Sequence, residues 1–338
     1  MGTSRRLFLG AVGAALASAA AGCARPARRP PTPVPPAHAS MPMRQLGRTG
    51  VQVSLIGLGG YHLGMPSDEQ QSIAIIRAAL DRGVTFLDNC WDYYDGLSEM
   101  RMGKALRDGY RERAFLMTKI DGRTAQAAAR QIEDSLRRLQ TDYIDLLQFH
   151  EIIRPEDPGR IFGPSGAFEA VMRARQAGKI RFVGFTGHKD PAHHLAMLRR
   201  AEQEGFVFDT VQMPINVMDA HYNSFEKRVL PAAASRNSAI IAMKALGAGN
   251  ILKSGLVEPI ECLHYAMTLP VSVVVTGCEN MRVLNQALQA AYSFRPLSDQ
   301  RIAELLARTA PGALDGKYEP YKTTEQYDGT ARHPEWLG

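Results

Sequence analysis

The chain has 338 residues, 45% apolar and 22% charged, ordinary proportions for a globular protein with room for one large core. Its net charge is +6, yet residues 1–40 carry five arginines (Arg5, Arg6, Arg25, Arg28, Arg29) and no acid. The remainder is close to neutral and offers no electrostatic case for nucleic acid as a partner.

The N-terminus reads as an address. Residues 1–22 are an export signal in which Ser4-Arg5-Arg6-Leu7-Phe8-Leu9 resembles the twin-arginine pattern, so the export machinery of that type is an expected partner. The Ala/Gly-rich run that follows is too short and too weakly apolar for a membrane span. Ala20-Ala21-Gly22-Cys23 resembles a lipoprotein cleavage box, with Ala20 where leucine is usual. A lipid on Cys23 would be the chain's single hold on a membrane, and the expected location is exported, periplasmic or lipid-anchored at the cell envelope. Residues 23–42 are Pro/Ala/Arg-rich without apolar period and read as an extended tether.

Folded protein is expected over 43–310. Arg44 to Val53 alternates about a glycine turn and predicts a small hairpin. A repeating pattern follows, in which each short apolar run leads into an amphipathic stretch. The eight pairs are 54–58 with 68–82, 85–88 with 99–108, 115–119 with 125–140, 144–150 with 165–177, 180–185 with 191–203, 210–213 with 224–235, 239–243 with 259–267, and 272–276 with 281–291. Strand-then-helix units argue for a parallel sheet. Eight units over roughly 250 residues predict an α/β protein with a single-domain (β/α)8 TIM barrel rather than an open doubly wound sheet. Residues 311–338 lose the period and read as a C-terminal tail, either packed on the surface or folded as a flap over the barrel mouth.

Several motifs are missing. Gly57-Leu-Gly59-Gly-Tyr61-His62 lacks the third glycine of a dinucleotide fingerprint, and no P-loop or Gly-x-Ser-x-Gly elbow occurs. The cysteines Cys23, Cys90, Cys262 and Cys278 include no Cys-x-x-Cys pair, so no metal is expected. His193 and His194 are adjacent on a predicted helix and read as surface residues.

Four ionisable residues stand out instead. Asp88, Lys119 and His150 each close an apolar run, and Tyr93 lies five residues past Asp88. Parallel barrel strands aim their C-terminal ends at one mouth, so these side chains converge there. Carbonyl reduction leaves an alkoxide that needs a proton. Tyrosine can supply it if an ammonium lowers its pKa, here Lys119 held by Asp88, while His150 orients the carbonyl. The hydride must come from a cofactor.

Over residues 43–291 these features resemble the aldo-keto reductase family. The carriers are the N-terminal hairpin, Asp88-x4-Tyr93, Ser98-Glu99, Thr118-Lys119, Asp145-Leu-Leu-Gln-Phe-His150, Arg181-x-x-Gly184-Phe185-Thr186 and Val211-Gln212. The resemblance implies reduction of an aldehyde or ketone, without metal, by the tetrad Asp88, Tyr93, Lys119 and His150. It implies NADP(H), with NAD(H) open because few basic residues mark a 2′-phosphate site. It places the cofactor against Gly59, Thr186, Gln212, Met243, Leu246, Gly247, Gly249, Gly277, Cys278 and Arg282. Thr186-Gly187-His188 departs from the family's Ser-Asn, and Met243 stands where a stacking tyrosine is common. Tyr61, Trp91 and Tyr94 would line the substrate pocket for a small-molecule carbonyl compound. The rival reading is a non-catalytic nucleotide-binding or redox-sensing envelope protein on the same barrel. A solute-binding lipoprotein without nucleotide is a third.

Overall fold

The alternation of apolar runs and amphipathic stretches is realised strand by strand and helix by helix. In the computed structural model, which describes residues 40–338, strands β1 (Met43–Gln45) and β2 (Gln52–Ser54) form an antiparallel hairpin. Eight parallel strands close a barrel: β3 (Ile56–Gly59), β4 (Phe86–Asp88), β5 (Phe115–Ile120), β6 (Ile144–Phe149), β7 (Ile180–Thr186), β8 (Thr210–Pro214), β9 (Ala239–Met243) and β10 (Val273–Gly277). Around it run α1 (Glu69–Asp81), α2 (Leu97–Ala105), α3 (Ala125–Leu139), α4 (Asp157–Phe162), α5 (Ala167–Gln176), α6 (Pro191–Gln203), α7 (Phe225–Arg228), α8 (Leu230–Ala234), α9 (Pro259–Thr268) and α10 (Met281–Tyr292). The tail adds α11 (Asp299–Ala313), α12 (Pro320–Thr323) and α13 (Gly329–Arg332). The expected barrel is therefore the observed one. The export signal and Cys23 lie outside the described residues.

Side-chain parity explains where the site sits. Strand residues alternate between the barrel interior and the helix layer. Phe86, Phe115, Met117, Leu146, Ile241, Val273 and Val275 pack together inside, closed at the bottom by Leu46 and Val53 of the hairpin. Counting two residues at a time from this interior layer reaches Asp88, Lys119, Gln148, Met243 and Gly277. The register sets Gly59 beside Asp88, Lys119 beside Gln148, and Thr186 beside Gln212. The opposite parity, including Leu87, Leu116, Leu147, Val183, Val211 and Ile240, packs under the helices in the main core.

Three boundaries differ from the sequence reading. Met41 is buried beside Gly83, so folded structure begins two residues before 43. The stretch 224–235 divides at Val229, where Pro231 enters the first turn of a second helix. Helix α11 was not expected. It runs to Ala313 with Pro311 inside, across the 310/311 break, because Leu305 and Ala313 pack on Val217, Tyr265 and their neighbours.

The tail is built into the barrel mouth rather than laid on the surface. Glu151, at φ 48 just after β6, accepts hydrogen bonds from the backbone N–H groups of Gly329 and Thr330 and from the Thr330 hydroxyl, at 2.7–2.8 Å. Asp328 accepts from His188 at 2.9 Å and from Lys189 at 2.5 Å. Lys322 is fully buried between Asp219 and Glu319. The amide of Arg123 donates to the Leu337 carbonyl at 2.8 Å.

Candidate active site

At the ends of β4 and β5 the chain places a carboxylate and an ammonium in a dry setting. Lys119 is 1% exposed and donates to Asp88 Oδ1 at 2.5 Å, to the Asn89 carbonyl at 2.7 Å and to the Tyr93 hydroxyl at 3.2 Å. The second Asp88 oxygen accepts from Gln212 Nε2 at 2.6 Å. Both Asp88 oxygens are thus committed, and the ammonium is aimed at the phenol. His150 stands edge-on to Tyr93, ring centroids 5.9 Å apart, and Tyr61 packs on the opposite side at 5.4 Å. The four residues expected to meet do meet.

Electrostatics alter one expectation. Burial, then the negative charge of Asp88, pushes the Tyr93 phenol well above its ordinary value. Burial leads, so Tyr93 rests as a phenol. That is the form that can give a proton.

His150 has neighbours that the sequence did not single out. Its Nδ1 lies 2.9 Å from Asp121 Oδ1, 3.2 Å from Cys90 Sγ and 3.6 Å from Asp92 Oδ1. Burial lowers the imidazole pKa, so the ring is neutral. Cys90, Asp92, Asp121 and His150 are the one group with metal-ligand types among the described residues, their atoms within 4.8 Å of one another. Ligands on a tetrahedral zinc at about 2.0–2.1 Å stand about 3.3 Å apart, with sulfur further still. The nitrogen contacts to Asp121 and Cys90 are shorter than that. They have the lengths of hydrogen bonds, and no cation is needed to account for them.

The remaining expected residues fall into two groups. Thr186, Gln212 and Met243 cluster at the mouth: Gln212 Oε1 is buried without a partner, and Thr186 Oγ1 lies 3.9 Å from Met243 Sδ. Gly187 is glycine because a Cβ there would stand 2.5 Å from the Ile152 carbonyl oxygen. His194 is a correction, since it is buried, not on the surface. Its Nε2 lies 3.2 Å from the Gln212 carbonyl oxygen, and burial drops its pKa to about 3, so it acts as a neutral brace for β8. Gly59 sits on the inner wall beside Asp88. Arg282 is exposed in the first turn of α10.

Others are placed differently from expectation. The amides of Gly247 and Gly249 already donate to the carbonyls of Lys244 and Leu246, at 2.8 and 2.9 Å, so they are not free anion donors in this loop. Gly277 is covered by the His62 imidazole, which occupies the space a Cβ would take. The Cys278 side chain is buried in the main core, and burial pushes its thiol up to about 12. Tyr61 and Tyr94 pack on each other at 5.2 Å, partly exposed. Trp91 instead donates to Asp134 and packs on Arg138 and Trp336, toward α3 and the tail.

Lys244, next to Met243, was not among the expected site residues. Its ammonium lies over the Tyr321 ring, 5.3 Å from the centroid, and makes no ion pair among the described residues. Burial, then Lys119, lowers its pKa to about 8. An unpaired cation at a barrel mouth is a natural seat for an anion.

Comparisons with known proteins point to one family. A family model described as "Aldo/keto reductase family" matches residues 55–261. The chain is 33% identical over 212 residues to aldo-keto reductase YhdN of Bacillus subtilis, covering 57% of this chain and 58% of that one. It is 35% identical over 162 residues to L-galactose dehydrogenase of Arabidopsis thaliana, covering 43% and 48%. In both cases it spans less than two thirds of the relative's length. Among solved structures, the holo form of aldo-keto reductase AKR11C1 from Bacillus halodurans superposes with TM-score 0.65 at 25% identity, covering 78% of this chain and 96% of that chain. An aldo-keto reductase from Klebsiella pneumoniae in complex with NADPH gives 0.66 at 26% identity, covering 80% and 95%.

Proposed function

Because the chain belongs to the aldo/keto reductase family, we propose that it is an NADP(H)-dependent oxidoreductase that reduces an aldehyde or ketone to its alcohol, with Tyr93 as proton donor. The observation that carries this reading is the Asp88–Lys119–Tyr93 chain of contacts, 2.5 and 3.2 Å long, beside His150 at one barrel mouth. The cofactor supplies the hydride when bound.

The chain's residues suit that group. The orphaned Gln212 Oε1 is an acceptor for a carboxamide N–H, and the Thr186 hydroxyl is beside it in register. Met243 offers a soft surface for a ring face. Lys244 would meet phosphate charge, and the exposed Arg282 is the candidate for a 2′-phosphate. NADPH as the ligand is supported by the NADPH-bound neighbour from Klebsiella pneumoniae.

In the reduction, Tyr93 gives its hydroxyl proton to the developing alkoxide. Lys119 then stabilises the phenolate left behind. Asp88 keeps Lys119 in place, and Gln212 keeps Asp88 in place. Such positioned proton transfer is worth about 10²–10⁴-fold in rate. The test is carbonyl-dependent NADPH oxidation by purified protein over a panel of aldehydes and ketones, with NADPH and NADH titrated side by side. Turnover with NADPH is expected, and nucleotide binding without turnover on any member would favour the redox-sensing alternative.

Lys244 gives a pH signature. A bound anion favours the charged ammonium, so NADPH affinity should fall as pH rises through about 8. Lys244→Met should weaken binding about tenfold at neutral pH and flatten that dependence, as expected for loss of one charge-assisted contact. Equal affinities for the two proteins across the range would remove Lys244 from the cofactor site.

The Ser4-Arg5-Arg6 start and the box ending at Cys23 support export of the folded, cofactor-loaded enzyme to the envelope. Export should stop when both arginines become lysine, with the protein then recovered in the cytoplasmic fraction. An unchanged fractionation would refute the signal.

A further inference from the structure

The imidazole of His150 serves a carbonyl oxygen only if the nitrogen facing the mouth carries the hydrogen. Neutral histidine has one N–H, and the partner of the other nitrogen decides which atom bears it. Here the inner nitrogen is Nδ1, enclosed by Asp121, Cys90 and Asp92, while Nε2 makes no hydrogen bond among the described residues.

We propose that Asp121 is a positioning residue that acts through His150, its carboxyl donating a hydrogen bond to Nδ1 so that the ring keeps its own hydrogen on Nε2. The inference rests on the reductase reading for its purpose, but not for its geometry. Asp121 is fully buried, with Oδ1 2.9 Å from Nδ1 and Oδ2 without any partner. An ionised aspartate with an empty oxygen in a dry pocket is costly, whereas a protonated one needs only a single acceptor, and Nδ1 is that acceptor. The second close neighbour points the same way. The Cys90 thiol is held protonated by burial and can donate toward Nδ1, at 3.2 Å. Asp92 Oδ1 is farther off, at 3.6 Å, which leaves Asp121 as the nearest partner of Nδ1.

The charges around the pair fit this protonation state. Glu151 and Asp92 oppose ionisation of Asp121, whereas Arg123, Lys119 and Arg154 favour it. Burial, Lys119 and Lys244 oppose protonation of His150, whereas Asp92 and Glu151 favour it. Burial leads the balance and lifts the carboxyl to about 8. Above that pH an ionised Asp121 becomes an acceptor. The hydrogen then moves to Nδ1, and a bare Nε2 lone pair faces the substrate oxygen and repels it.

The test is ¹⁵N long-range NMR of the histidine-labelled full chain, with the His150 signals assigned by their loss in His150→Gln. The inference expects the Nε2–H tautomer at about pH 6.5 and conversion to Nδ1–H with a midpoint near about 8. In Asp121→Asn, whose amide donates at every pH, Nε2–H should persist, and the alkaline fall in kcat at saturating cofactor should disappear. Nδ1–H at about pH 6.5, or Nε2–H throughout the wild-type series, overturns the proposal. The wild-type spectra decide even if the variant does not fold. They also decide if no carbonyl substrate turns over, so failure of the reductase reading is seen separately.

Discussion

Tyr93→Phe is expected to lower kcat/KM for carbonyl reduction by about 10²–10⁴-fold while leaving NADPH affinity unchanged. Among the described residues the phenol's hydroxyl makes one polar contact, to Lys119 at 3.2 Å, and Lys119 keeps Asp88 and the Asn89 carbonyl without it. The ring still packs against Tyr61 and His150. Loss of the hydroxyl therefore removes the proton donor and little else. Steady-state kinetics with a nucleotide titration read both halves, and turnover at the parent rate would refute the assignment of Tyr93.

Arg123→Met is expected to destabilise the protein by about 3–5 kcal/mol, lowering Tm on the order of 10 °C. The guanidinium is fully buried. It donates to Asp157 at 2.8 Å and to the carbonyls of Asp121, His150 and Glu151 at 2.6–2.9 Å. Removing it leaves Asp157 as an unpaired buried charge and three carbonyls without their donor. Those carbonyls belong to the segments that carry His150 and the strained Glu151, so activity should fall with stability. Arg123→Lys should rescue little, because one ammonium cannot reach all four acceptors. Denaturant unfolding checks the size of the effect, and a loss below about 1 kcal/mol would show that the network is dispensable.

What could be read from the sequence follows from what is local. Each apolar run sets a strand, and an ionisable residue at its end sets a position on the mouth. Asp88, Lys119 and His150 were therefore legible, and Tyr93 followed from its spacing. The roles of Arg123, Asp121 and Glu151 were not legible, because each depends on partners 27–179 residues away in sequence, such as Thr330 for Glu151. The tail misled for the same reason. Pro311 and a lost period suggest irregular chain, yet α11 is stabilised by Val217 and Tyr265, far back in sequence. Trp91 reads as a pocket residue by its place between Asp88 and Tyr93, and only the packing of Arg138 and Trp336 draws it outward. His194 looked like a surface residue beside His193, but the Phe185 and Phe225 rings and the Gln212 carbonyl enclose it.

A phenol kept protonated by burial is in the form that can give a proton. Hydride delivery to a carbonyl carbon is read most directly by label transfer. The purified protein is given NADPH deuterated at both C4 positions and a reducible carbonyl compound, and the alcohol is analysed by mass spectrometry. One deuterium on the carbinol carbon is expected for each NADPH consumed. NADPH that binds yet stays reduced, with no labelled alcohol from any aldehyde or ketone tried, would contradict the reductase reading.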